Sequence, residues 1–302
     1  MVVSFYYLIY NTSVNKYSIS WKFIISYMAL ISFLCITHFF NIFPSQVTNS
    51  FSGQAYWSTY IFQLFSGMLS SIPILLLFIS GPLFALYLLC PDIHNIFSST
   101  SKNKFSTNAL LSIIATIGGT LLYRPIKYLL YENFSNYMNL SSWSGLHAFS
   151  AYIPGYALLL PIILNTIWLS VISLFFYNKY MDFQLNGKHL KKNLILFGFI
   201  FAYLNLGIFV EETIYVIPHY LSRIFGLIVY LTLIKYFWKN NPLSHLFGTL
   251  IYFQSFVIIN FIQLADPTIK IQGWIISGLF ILLLIYSLGL DSFKKLFFSR
   301  TN

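Results

Sequence analysis

Apolar residues occupy this chain in long blocks, and polar residues gather in short breaks between them. A helix needs about 20 apolar residues to cross the hydrocarbon core of a bilayer. Eight blocks qualify, at 21–43, 66–90, 106–123, 149–177, 194–211, 219–238, 245–264 and 273–290. They predict an all-α fold, a polytopic transmembrane helix bundle of about eight spans. Residues 1–20 read as a short interfacial segment, 21–290 as a single transmembrane helical domain, and 291–302 as a basic cytoplasmic tail. No small-residue cleavage site follows the 21–43 run, so that run is expected to stay as the first helix.

Two blocks contain helix breakers. The second carries Pro73 and the pair Gly81-Pro82, and the fourth carries Pro154-Gly155 and Pro161. Each proline removes a backbone donor at depth, so both helices are expected to be interrupted there. Broken helices line many transport sites, and they also arise as plain packing kinks.

Charge orients the blocks. Only 8% of the residues are charged, against 58% hydrophobic and 20% aromatic, and the net charge is +10. With both termini inside, thirteen of the 17 basic residues fall in inner segments; Arg124, Lys127, Arg223 and Lys270 fall outside. That division obeys the positive-inside rule. Deleting the weakest span, 106–123 with Gly118-Gly119, leaves eight basic residues inside against nine outside and destroys the bias. The positive charge is thereby accounted for by orientation in a bacterial or organellar inner membrane, and no nucleic-acid partner is needed. Membrane lipids are the expected partners, with other membrane subunits as an alternative. Cys35 and Cys90 stand in apolar segments without metal-ligand spacing and read as packing residues.

Candidate chemistry collects on the outer face of this topology. Glu211 and Glu212 lie at the outer end of the fifth block, on the same side as Arg124 and Lys127 after the third and Arg223 in the first turn of the sixth. Charges near a bilayer usually pair with one another, so an ion-pair cluster is expected. The basic members would also suit an anionic or lipid-linked substrate. Residues 124–143 are expected to include a partly amphipathic interfacial helix with its tyrosines at headgroup level. Asn165, Asn205, Gln254 and Asn260 lie within spans and would line a polar path. His38, His147 and His219 project to the outer leaflet with the glutamates. Three imidazoles and a carboxylate form a ligand set typical of zinc, and paired histidines can ligate haem. No HExxH or similar local motif binds these residues into one site, so the cofactor stays open.

The six residues EETIYV, 211–216, resemble the first motif, EExxxR, of the CAAX-protease and bacteriocin-processing family of intramembrane metalloproteases. Glu211, Glu212 and Tyr215 match, and Val216 stands at the arginine position. The resemblance implies a metal-dependent hydrolase with Glu211 or Glu212 catalytic. His245 has nearly the separation of that family's next motif, with Asn241 in place of its phenylalanine. The stretch SWSGLH similarly resembles the rhomboid serine proteases through Ser144 and Gly145, with His245 as the partner. One crossing from the glutamates, and three from Ser144, put His245 on the inner face in both cases. The sequence thus leaves three classes: transport or lipid handling, a non-catalytic subunit of a membrane complex, and a membrane-embedded hydrolase.

Overall fold

A computed structural model describes residues 21–50, 99–134, 153–205, 216–262 and 266–288, with isolated positions at 62, 65, 66 and 81. The described chain is helical, with no strand among the described residues. Its elements are α1 (Trp21–Ser50), α2 (Ser99–Phe134), α3 (Pro154–Leu185), α4 (His189–Asn205), α5 (Val216–Thr232), α6 (Pro242–Thr249), α7 (Ser255–Ile262) and α8 (Pro267–Leu288). Two π-helical segments, Leu233–Trp238 and Leu250–Gln254, continue α5 and join α6 to α7. Four stretches are long and apolar enough to cross a membrane: Asn108–Ile126, Pro154–Leu185, Tyr220–Trp238 and Pro267–Tyr286. At 1.5 Å per residue, about 20 residues cover the roughly 30 Å of a hydrocarbon core.

Seven of the eight apolar blocks coincide with helical segments, and the block 66–90 lies outside the described residues apart from Ser66 and Gly81. The boundaries differ where proline or charge suggested an end. Pro154 does not break its helix; it begins α3 as the first residue, where its missing N–H is no loss. Pro161 then sits exposed within continuous helix. Arg124 does not follow a helix but lies inside α2, which runs through Pro125 to Phe134. The expected interfacial helix at 124–143 is thus, over its described part, the end of α2. Arg223 stands two turns into α5 and not in its first turn, because the helix begins at Val216.

The chain forms two compact units. The first holds α1, α3 up to Trp168, α7 from Phe256 and most of α8; the second holds α2, the rest of α3, α4, α5 and α6. In the first unit, Ile31, Cys35 and Leu160 form a small apolar core with Tyr27, Leu34, Ile163 and Leu164 around it. Thr37 hydrogen-bonds the Tyr156 hydroxyl. The N–H of Gly155 donates to Gln272 Oε1 at 2.6 Å, a contact that a β-carbon at 155 would obstruct from 2.8 Å.

The start of α3 is fixed by one side chain of α1. Buried Asn41 donates from Nδ2 to the Ile153 carbonyl at 2.8 Å and accepts from the Ile153 N–H at 2.7 Å. Ile153 precedes Pro154, so Asn41 clamps both backbone groups of the residue that opens the helix. Asn41→Ala removes both bonds and strands a backbone donor, a loss of about 1–3 kcal/mol. The expected result is a lower unfolding temperature in detergent, with Asn41→Asp in between because it keeps the acceptor. Equal stability of all three forms would contradict the clamp.

Candidate functional site

The polar centre of the second unit is built on the hairpin between α5 and α6. The π-helical segment ends at Trp238, and the Lys239 N–H bonds back to Ile234 O at 2.9 Å. Lys239 has φ 47°, a left-handed backbone that a non-glycine residue adopts only under constraint. Asn241 then caps α6, its Oδ1 accepting from the N–H groups of Leu243 at 3.0 Å and Ser244 at 3.4 Å, with Pro242 as the first helical residue. This cap directs His245 back over the turn.

His245 is fully buried and bonds at both ring nitrogens. Nε2 lies 2.7 Å from the Lys239 carbonyl oxygen, which only accepts, so Nε2 carries a hydrogen. Nδ1 lies 2.7 Å from Ser173 Oγ on α3. Ser173 Oγ also reaches Ser170 O at 2.9 Å. A connected row of polar atoms therefore runs from Ser173 through His245 to the Lys239 carbonyl of the turn. Trp238 covers it edge-on, its ring centroid 5.3 Å from that of His245, and donates from Nε1 to Thr116 Oγ1 of α2 at 2.9 Å. One turn earlier on α2, Ser112 Oγ bonds the Phe237 carbonyl at 2.7 Å. Such hydroxyls serve backbone acceptors that the wider π-helical turn displaces.

Aromatic rings extend the site. Tyr230 stacks with Tyr252 at 5.4 Å and with Tyr203 at 5.7 Å, and Tyr252 stacks with Tyr123 at 5.7 Å. The Tyr252 hydroxyl donates to Gly226 O at 2.7 Å. Beside this group stand two of the chain's arginines. Arg223 is half-buried and donates from Nη1 to the carbonyls of Tyr203 at 3.1 Å and Leu204 at 3.0 Å, placing a cation at the C-terminal end of α4 where the helix dipole favours it. Arg124, also half-buried, donates from Nη2 to Ser255 Oγ at 2.5 Å.

The residues expected from sequence are distributed unevenly. Arg124, Arg223 and Gln254 belong to this unit, and Gln254 is buried. Lys127 and Asn205 lie on α2 and α4 and His219 on α5, but their side chains fall outside the described part, as does that of Asn260. Asn165 is exposed on the stretch of α3 that belongs to the first unit. His38 is half-buried on α1 in the first unit, and its Nδ1 has no hydrogen-bond partner among the described residues. Glu211, Glu212, His147 and Ser144 lie outside the described residues. Among the described residues no group of three or more His, Cys, Asp or Glu side chains could hold a metal ion.

Sequence reasoning passed over the row from Ser173 through His245 to the Lys239 carbonyl. Two local features point to it in retrospect: the Asn241-Pro242 helix start four residues before His245, and the spacing of Ser170, Ser173, Ser112 and Thr116 within otherwise apolar helices.

What the described fold defines is a class: an all-helical chain with four helices long and apolar enough to cross a membrane. Compared with known protein families, characterised proteins and solved structures, the chain matches none.

Proposed function

We propose that the chain is a multi-pass integral membrane protein of about eight spans, both termini inside, in a bacterial or organellar inner membrane, and that it transports or handles an anionic or lipid-linked substrate. The observation that carries this reading is the pair Arg124 and Arg223, half-buried on apolar helices of one compact unit. Charge at membrane depth is costly and tends to mark a binding site or path. The planar guanidinium also suits bidentate contact with phosphate or carboxylate. Lys127 adds charge on the same helix as Arg124, Asn205 and Gln254 supply polar groups within spans, and Asn165 offers another on α3. Glu211 and Glu212 act in this reading as the charge partners of the arginines in the substrate-free state.

The test is native mass spectrometry of the purified protein with dioleoylphosphatidylglycerol or dioleoylphosphatidylcholine added. The wild type is expected to retain the anionic lipid preferentially. The double variant Arg124→Gln/Arg223→Gln should weaken that retention at least about tenfold, which is only about 1.4 kcal/mol, while Arg124→Lys/Arg223→Lys keeps most of it. Equal retention of both lipids, or no change in the glutamine variant, would overturn the proposal.

A second reading is a non-catalytic subunit of a membrane complex. It is favoured by α8, where Ile271, Trp274, Ile275, Leu279, Leu282 and Tyr286 are all exposed, as on a helix that meets lipid or a neighbouring subunit. The metal-dependent hydrolase, with Glu211 or Glu212 and the ligand candidates His38, His147 and His219, has less behind it. Its support is the short motif alone.

A further inference from the structure

Helix α4 divides its surface in two. Ile195, Leu196, Phe199 and Tyr203 pack into the unit, with Phe199 stacked on Phe176 of α3 at 4.1 Å and Tyr203 on Tyr230 of α5 at 5.7 Å. The opposite arc carries Leu190, Leu194, Phe197 and Phe201, which are 61–74% exposed. Their spacing of i, i+4, i+7 and i+11 keeps all four on one face. Beside them run Gly198 and Ala202, both exposed, and a β-carbon at Gly198 would meet nothing within 4 Å. With 3.6 residues per turn, Lys191, Gly198 and Ala202 fall within about 40° of one line along the helix. The two small residues thus leave a shallow furrow, walled by large apolar side chains and headed by Lys191.

Lysines crowd that head. Lys188 and Lys191 are exposed, and Lys192 is half-buried with its Nζ 5.6 Å from the Tyr180 ring centroid. They stand at the start of α4, where the helix dipole disfavours cations, so they do not serve the helix itself. Helix α3 repeats the order: Ile172 and Phe175 are exposed, and exposed Lys179 follows one turn further on the same face. The carboxylate of this hairpin, Asp182, accepts from Asn186 Nδ2 at 2.8 Å. Both helices therefore pass from apolar to cationic toward the turn that joins them.

That order fits one class of ligand. A phospholipid with an anionic headgroup presents a negative charge and then apolar chains, whereas a free anion would leave the apolar strip unused. A second copy of the chain fits poorly. Small residues do let membrane helices approach, but copies in one membrane share an orientation, so their lysines would meet at the same end.

We propose that the exposed face of α4 binds an anionic phospholipid, with Lys188 and Lys191 on the headgroup and an acyl chain along Gly198 and Ala202. Lys192 adds charge from its place over Tyr180. Clustered lysines beside a membrane helix attract anionic headgroups. The site rests on the multi-pass reading, with α4 in the bilayer, and not on the arginines. Arg223 meets α4 at Tyr203 and Leu204, about 18 Å of helix away from Lys191 and Lys192. An exposed site of this kind exchanges its lipid in the bilayer and is not expected to hold it through detergent, unlike the half-buried arginines.

The test uses the full chain with Cys35 and Cys90 replaced and a bimane fluorophore on Phe197→Cys. It is placed in nanodiscs containing a small fraction of phosphatidylglycerol or phosphatidylcholine with brominated acyl chains, which quench a fluorophore they touch. The brominated phosphatidylglycerol is expected to quench at least about threefold more effectively. The preference should fall as salt rises from about 50 to about 500 mM, and should vanish in Lys188→Gln/Lys191→Gln/Lys192→Gln. Arg124→Gln/Arg223→Gln should keep it, so that this site and the arginine site fail separately. Equal quenching by the two lipids, or a preference that survives the lysine substitutions or is lost with the arginines, would overturn the proposal. So would the absence of quenching by either lipid, the result expected if another helix covers the face. The salt series needs no lysine substitution, and a preference indifferent to salt overturns the proposal even if the triple variant does not fold.

Discussion

Trp238→Ala is expected to be the most damaging single substitution in the described chain. The side chain is fully buried at the end of the π-helical segment and contacts Tyr230, His245 and, through Nε1, Thr116. Truncating a buried tryptophan costs about 3–5 kcal/mol in soluble cores, part of it for apolar transfer and part for the cavity left behind. Lipid is as apolar as the interior of a helix bundle, so the transfer part shrinks in a membrane while the lost packing contacts remain. The hydrogen bond to Thr116 is lost as well. A large fall in the midpoint of detergent-induced unfolding is therefore expected, whereas Trp238→Phe should cost less because it keeps a ring over His245. A Trp238→Ala protein as stable as wild type would show that the hairpin is held by something other than this side chain.

Gly248→Ala is the second. Gly248 lies on α6 directly beneath the Trp238 indole, and a β-carbon there would meet Cε2 and Cζ2 at 2.3 Å and Nε1 at 2.7 Å. No β-carbon tolerates such distances, and the obstructing atoms belong to a rigid bicycle wedged between helices. The tryptophan must move, and its bond to Thr116 with it. Overpacking of this kind costs about 1–3 kcal/mol. The signature is non-additivity: in a Trp238→Phe background the added methyl has more room, so Gly248→Ala should cost distinctly less there than in wild type. Additive costs in the two backgrounds would mean that the close approach of Gly248 and Trp238 is not what sets the packing.

The helical framework was largely legible in the sequence. Long apolar blocks announce helices by length and composition alone: α1 begins with its block at 21 and α5 three residues before the block at 219, while α3 and α8 begin within about two turns of the blocks at 149 and 273. Ends were harder to read. Arg124 and Pro125 look like the close of a helix, because one is charged and the other lacks an N–H, yet α2 continues past both and Arg124 finds Ser255 within the same unit. Pro154 looks like a break and is a start, since the distinction depends on whether the preceding residue is helical.

The site was much less legible. His245 stands in a polar break and reads as an interfacial histidine, while its partner Ser173 is 72 residues away in a run that reads as apolar span. Nothing local joins the two; the connection is made by the Asn241 cap and the left-handed Lys239, whose geometry belongs to the folded hairpin. The arginines could be singled out because charge is rare in this chain. Serine, threonine and tyrosine are common in it, so the few that form a hydrogen-bonded row do not stand out by composition.

The eight-span topology proposed above would put Arg124, Arg223 and Glu211 on the outer side of the membrane. The most direct test is cysteine accessibility in intact and opened cells or vesicles, with Cys35 and Cys90 replaced and single cysteines introduced at Lys188, Glu211, Asn240 and Lys270. Lys188, Asn240 and Lys270 are exposed in loops or helix ends, so labelling there reports sidedness and not burial. The account predicts labelling of 211 and 270 from outside and of 188 and 240 only from inside. Labelling of 188 and 211 from one side, or of 240 and 270 from one side, would contradict it.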